Sequence, residues 1–147
     1  MFNPVMYFRL ANFLHRKGVP FVPKLLTYFS RFVFSCYLPH GVKAGENLVL
    51  GYGGLGIVIH ERSIIGNNCH IDQNVTLGGT SKKQAVPILG NNVYVGAGAK
   101  IIGPVTIGND VVIGANAVVV SDVEDNCVVV GVPARVIKKG IQMCDYV

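Results

Sequence analysis

From Ile59 onward the chain places an aliphatic residue at every sixth position: Ile59, Ile65, Ile71, Leu77, Leu89, Val95, Ile101, Ile107, Ile113 and Val119. Lys83 is the one break in the series. Four residues after the aliphatic comes a small or β-branched side chain, as at Ser63, Cys69, Val75, Val93, Ala99, Val105, Val111 and Ala117. Glycine often follows directly (Gly66, Gly78, Gly90, Gly96, Gly108, Gly114), and Asn67-Asn68, Asn91-Asn92 and Asn109-Asp110 recur at matching points. A six-residue period predicts a β class chain, a parallel β-helix with three repeats to a coil. The aliphatic residue fills the axis, the small one fits beside it, and Gly, Asn or Asp turns the corner. Residues eighteen apart, three repeats of six, are expected to stack. A looser register at Leu38, Ala44 and Leu50 starts the prism near residue 38, with a nine-residue step to Ile59 across Gly51-Tyr52-Gly53-Gly54-Leu55-Gly56. The polar segment GTSKKQAVP (79–87) holds the break, and the count resumes in phase after it. It is expected to protrude as a loop, the place where a regular solenoid carries function.

Ahead of the prism, residues 4–17 read as an amphipathic helix with Met6, Leu10, Phe13 and Leu14 on one face, ended by Gly18 and Pro20. Residues 22–36 read as a second helix, apolar on most sides and closed by Pro39 and Gly41. The chain thus divides into a helical arm (1–37), a prism (38–138) and a tail (139–147). Charge follows this division: residues 1–45 hold six of the thirteen Lys and Arg and no acid. The arm either packs on the main body or lies as a basic, sticky element at a membrane surface, on its inner face. Phe21–Leu38 is not read as a membrane span, because Pro23, Lys24 and Arg31 interrupt it, and no secretory signal is expected.

Composition narrows the class further. Half of the 147 residues are hydrophobic and 14% are charged, which excludes a disordered chain and suggests one domain. The four cysteines (36, 69, 127, 144) form no CxxC pair, so neither a zinc site nor a disulfide framework is read, and a reducing, cytoplasmic setting is expected. No metal and no nucleic-acid partner is implied by this composition.

At GIVIHE (56–61), QNVTLGGT (73–80), VGAGAKIIG (95–103), IGANAVV (113–119) and VGVPARVI (130–137) the chain resembles the hexapeptide-repeat acyltransferases. The nearest branch comprises the serine acetyltransferases and the short related enzymes that O-acetylate sugars of surface polysaccharides. The resemblance covers roughly residues 38–138. It implies a left-handed β-helix, an exception to the usual right-handed crossover. It also implies a homotrimer that takes acetyl-CoA in the cleft between two prisms. Serine acetyltransferases carry a catalytic histidine in an Asp-His-Ala-Thr segment, where this chain has Gly51-Tyr52-Gly53-Gly54-Leu55. Their second functional histidine, in the protruding loop, corresponds to Val86, and a further acid to Tyr37. A sugar hydroxyl of a polysaccharide precursor is therefore the expected acceptor, with L-serine the alternative and a non-catalytic trimeric scaffold the reading from another class.

Acetyl transfer to a hydroxyl needs a base for its proton and a donor for the oxyanion. Histidine suits the first role. His15 and His40 read as surface residues. His60 is the first candidate, because it follows Ile59 and its column holds Gly78 at the root of the loop; Glu61 or Asp72 is the candidate orienter. His70, in NNCHIDQN, is the runner-up. The family pattern puts the pantetheine arm along Gly79, Ala97 and Ala115, which the spacing of eighteen sets in one column beside that of His60 and Gly78, and Gly78 is a further cofactor contact. For the phosphates, Lys100 and Arg135 fit the family pattern, and Lys138 follows the last coil. Tyr52 and Asn74 are the expected acceptor contacts.

Overall fold

The computed structural model describes residues 3–147. Helices α1 (Pro4–Arg16) and α2 (Val22–Phe34) come first. The strands are β1 (Lys43–Ala44), β2 (Val49–Leu50), β3 (Val58–Ile59), β4 (Ile64–Ile65), β5 (His70–Ile71), β6 (Thr76–Gly78), β7 (Ile88–Leu89), β8 (Val93–Val95), β9 (Lys100–Ile102), β10 (Thr106–Ile107), β11 (Val111–Ile113), β12 (Val118–Val119), β13 (Cys127–Val130) and β14 (Arg135–Lys139). As far as β12 every third strand pairs in parallel, giving a first face β1-β4-β7-β10, a second face β2-β5-β8-β11 that β13 extends, and a third face β3-β6-β9-β12. The chain is a left-handed β-helix with a short helical arm.

Strands of two or three residues have no stability of their own; stacking supplies it. The ten periodic aliphatic residues are all buried, and Ser63, Cys69, Val75, Ala99 and Ala117 fill the space beside them. At the edge between the first and second faces, side chains stitch coil to coil. Asn67, Asn91, Asn109 and Asp125 each accept, through Oδ1, the backbone N–H of Glu46, Asn67, Asn91 and Asn109 in turn, at 2.7–2.8 Å. Their neighbours Asn47, Asn68, Asn92 and Asp110 take left-handed φ of 53–55°, which Asn and Asp tolerate through local hydrogen bonding.

The coils are unequal, which corrects the uniform spacing of eighteen. Ala44 pairs with Ile65, Ile65 with Leu89 and Leu89 with Ile107, so successive coils advance by 21, 24 and 18 residues. The longer second step accommodates the loop at 79–87. At the far end β14 runs antiparallel to β13 with exposed side chains, so it closes the prism as a hairpin strand and adds no rung.

The arm packs on the body. Phe8 joins the core, and α1 lies across the first coil. Arg9 donates to the carbonyls of Ala44 and Gly45, and Asn12 to those of His40 and Val42. These carbonyls belong to the open end of the solenoid, where no further coil pairs them, and α1 serves as its cap. Hence the predicted apolar stripe of α1 does not face inward. Pro4, Phe8 and Ala11 are buried, while Met6, Leu10 and Phe13 are exposed. None of the described helices is long and apolar enough to cross a membrane.

Candidate active site

The predicted site residues fall on two edges of the prism. On the edge between the third and first faces, the His60 N–H donates to the Leu77 carbonyl at 2.8 Å, so His60 lies one coil below Gly78 as expected. A Cβ on Gly79 would lie 3.7 Å from His60 Cδ2 and 3.9 Å from Nε2, which places the imidazole against the Gly79 backbone. A cavity of about 380 Å³ opens here, with Tyr37, Val58, His60, Glu61, Thr76 and Gly78 in its wall. The loop is tied down from below: an Arg62 guanidinium nitrogen donates to the Gln84 carbonyl at 2.8 Å, and Val86 packs against Gly79.

Neither expected acid orients His60. The tight turn at 60–63 brings the Arg62 backbone N–H onto His60 Nδ1 at 3.2 Å. Nδ1 is therefore an acceptor, and the neutral ring carries its proton on Nε2. Glu61 is exposed beside it, and Asp72 belongs to the other edge.

On the edge between the second and third faces, Asp72 sits one coil above Gly51. A Cβ at Gly51 would overlap Asp72 Oδ1, so the glycine leaves the space that the carboxylate occupies. His70 Nε2 lies 3.1 Å from Asp72 Oδ1, and the Tyr94 hydroxyl donates to Oδ2 at 2.6 Å. The His70 and Tyr94 rings meet edge to face, 5.4 Å between centroids. His70 donates from Nε2 to the carboxylate, which leaves Nδ1 with a free lone pair. The hydrogen bond to Asp72, with burial second, pushes the Tyr94 hydroxyl up to about 12, so it stays protonated and keeps donating. Tyr94 is absent from the sequence-based candidates. Its signal is the 24-residue register that sets it on His70, which a uniform period of eighteen conceals.

The small-residue column stands on this same edge and not beside His60 as expected, and its membership also changes. Gly98 N–H donates to the Gln73 carbonyl and Asn116 N–H to that of Ala97, so Gln73, Ala97 and Ala115 stack. Gly79 is not in this column: Gly103 N–H donates to the Gly78 carbonyl, which puts Gly78 and Gly79 on the His60 edge. The six residues added by the loop cause the shift. Gly96 and Gly114 continue the narrow strip, since a Cβ on Gly96 would come within 2.8 Å of the Ala115 nitrogen.

Lys100 is not a free cation. Its Nζ donates to the carbonyls of Asn74 and Gly98, bracing the corner. Arg135 is exposed and follows Ala134, whose N–H donates to the Val118 carbonyl, so it stands at the head of the small-residue edge. Lys138 lies over the Tyr146 ring at 6.0 Å. At the foot, Tyr52 is 83% exposed with φ 50°, and the Asn74 amide fills the space above Gly56. Among the described residues no group of three His, Cys, Asp or Glu side chains could hold a metal ion.

Residues 87–121 match the bacterial transferase hexapeptide (six repeats) family. The chain is 41% identical to a serine acetyltransferase of Synechococcus elongatus over 145 residues, 97% of this chain and 59% of that protein. It is 42% identical to a serine acetyltransferase of Helicobacter pylori over 139 residues, 93% of this chain and 81% of that one. A crystal structure of serine acetyltransferase in complex with coenzyme A, from Brucella abortus, superposes with a TM-score of 0.88 at 33% identity. It covers 94% of this chain and 56% of its own. The chain thus spans little more than half the length of several of these relatives. With four fifths of the Helicobacter protein covered at this identity, the chain belongs to the serine acetyltransferase family of the hexapeptide transferases.

Proposed function

We propose that the chain is an acetyl-CoA-dependent O-acetyltransferase, with His70 as the general base. The observation that carries this reading is the His70–Asp72–Tyr94 cluster at the foot of the Ala97–Ala115 strip. A hydrogen-bonded histidine with one free lone pair lies beside an edge slim enough to admit a pantetheine arm. The names of the relatives and the coenzyme A complex of the Brucella structure support it.

The two edges suggest the assembly. His60 and the loop lie on one edge, and His70 and the strip on another, with the third face between them. One thioester meets both if the prisms associate as a homotrimer, the strip edge of one protomer against the loop edge of its neighbour. His70 Nδ1 then takes the acceptor hydroxyl proton as the oxygen attacks the thioester carbon. His60 Nε2–H, from the neighbour, donates to the oxyanion. Collapse of the tetrahedral intermediate breaks the C–S bond, and the proton held on His70 passes to the departing thiolate. Arg135 stands where the cofactor phosphates would leave the strip. The supply of acetyl-CoA and the four free cysteines fit a cytoplasmic setting.

L-serine is the acceptor that the relatives support, since their names are those of serine acetyltransferases. The expected polysaccharide sugar has no such support. One feature keeps it as the second reading: Gly51, Tyr52 and Val86 stand where the resemblance puts an acid and both histidines. A thiol-release assay with acetyl-CoA, against L-serine and a panel of nucleotide sugars, separates these readings. Turnover with L-serine supports the first, and turnover with a sugar alone supports the second. No release with any hydroxyl acceptor, together with no acetyl-CoA binding by calorimetry, overturns the proposal in favour of a scaffold.

A further inference from the structure

Helix α2 is built inside out. A surface helix of a water-soluble protein turns its apolar stripe inward. Here the buried positions are Pro23, Thr27 and Ser30, and the buried Ser30 hydroxyl has no partner among the described residues. Leu25, Tyr28, Phe29 and Phe32 point outward, Phe32 with 89% of its surface exposed. A shallow groove of about 620 Å³ runs along this face, lined by Tyr7, Leu25, Leu26, Tyr28, Phe29 and Phe32. A second, of about 360 Å³, adjoins it at Leu25 and Tyr28 and reaches Phe21, itself 87% exposed. Isolated exposed apolar residues are ordinary, but a continuous aromatic stripe of this kind marks an interaction surface.

We propose that this face of α2 docks on an anionic lipid bilayer. Charge decides the occupant. Lys24 and Arg31, two turns apart and both exposed, flank the stripe, and residues 1–45 contain no acid. A second copy of the chain, meeting this face with its own, would bring these cations against each other. A layer of anionic headgroups pairs with them while the aromatic side chains enter the acyl boundary. The helix has 13 residues, about 20 Å, and is too short to span, so it lies in the plane of the interface. The docking does not depend on the acetyl-transfer reading, and loss of one would leave the other standing.

Flotation of the full chain tests it, with vesicles of phosphatidylcholine alone and of phosphatidylcholine mixed with phosphatidylglycerol. The wild-type chain is expected to float with the mixed vesicles, to bind neutral ones far less, and to be released by high salt. Each cation near an anionic surface contributes about fivefold in affinity, so the double variant Lys24→Gln, Arg31→Gln should lose roughly 25-fold. The double variant Leu25→Ser, Phe32→Ser should lose binding altogether while keeping its far-ultraviolet circular dichroism. Absence of the wild-type chain from mixed vesicles overturns the proposal without recourse to any variant. So does a Leu25→Ser, Phe32→Ser chain that still floats, or one whose sedimenting mass falls while vesicle binding is unchanged, since the face would then be a contact between copies.

Discussion

Gly51→Ala is the smallest change that separates the Asp72 carboxylate from its work. Gly51 is not among the residues with left-handed φ, so the backbone accepts alanine. The new methyl, however, falls on Asp72 Oδ1 and lies 3.2 Å from Cγ. Reaching ordinary van der Waals separation requires the carboxylate to retreat by about 1 Å. Oδ1 now stands 3.1 Å from His70 Nε2, so a retreat directed away from the imidazole takes it past hydrogen-bonding distance. His70 then loses both its orientation and the partner that fixes its tautomer. Misplacement on this scale costs roughly 10²-fold in kcat. The KM for acetyl-CoA should stay within about twofold, because Ala97 and Ala115 stand one and two coils above and do not move. The overpacked corner costs about 1–3 kcal/mol, so the variant should melt several degrees lower and still fold. Thiol release under saturating acetyl-CoA, with a parallel melting curve, reads both quantities. A folded Gly51→Ala chain with kcat within about threefold of wild type would refute the role given to Asp72.

Two further outcomes follow from the same geometry. Tyr94→Phe removes one of the two donors on Asp72; a hydrogen bond to a charged group contributes about 1.5–3 kcal/mol, so kcat should fall roughly tenfold or more with KM for acetyl-CoA unchanged. A KM effect with normal kcat would instead mark Tyr94 as a binding residue. His40 should make the fold acid-sensitive: burial first, then the His15 ring 4.8 Å away, lower its pKa; Glu61 pulls the other way, and Lys24 adds a smaller push down. The folded chain then binds fewer protons than the unfolded one below pH about 6.5, so stability falls as pH drops through that value. Melting midpoints between pH about 7.5 and about 5.5 should decline, and His40→Asn should flatten the decline; an unchanged slope in that variant would contradict the assignment.

The winding was legible because a residue on the axis has no alternative to being aliphatic, and Ile59 through Val119 declare it. The His60–Gly78 stacking was legible for the same reason, since no insertion separates them. What failed was anything that crosses the loop. Coil length there depends on how many residues leave the prism, and that number is not marked by hydrophobicity. A uniform spacing of eighteen therefore sets Gly79 in the wrong column and hides the pairing of Tyr94 with His70. The inward side of α1 failed for a different reason: its stripe is plain in the sequence, but the open carbonyls at the end of the solenoid recruit Arg9 and Asn12, and they decide which side faces in. Lys100 reads as a phosphate ligand by type, whereas carbonyls only a corner away claim its ammonium.

In the proposed trimer one acetyl-transfer site is assembled from the loop edge of one prism and the strip edge of the next. His60→Ala and His70→Ala chains, each impaired alone, can be denatured, mixed in equal amounts and refolded together. In a randomly assorted trimer, about one interface in four then joins an intact His60 to an intact His70. Thiol release by the mixture should recover to about one quarter of the wild-type rate. A mixture no more active than its impaired parents, or a parent that turns over normally by itself, would contradict the shared site.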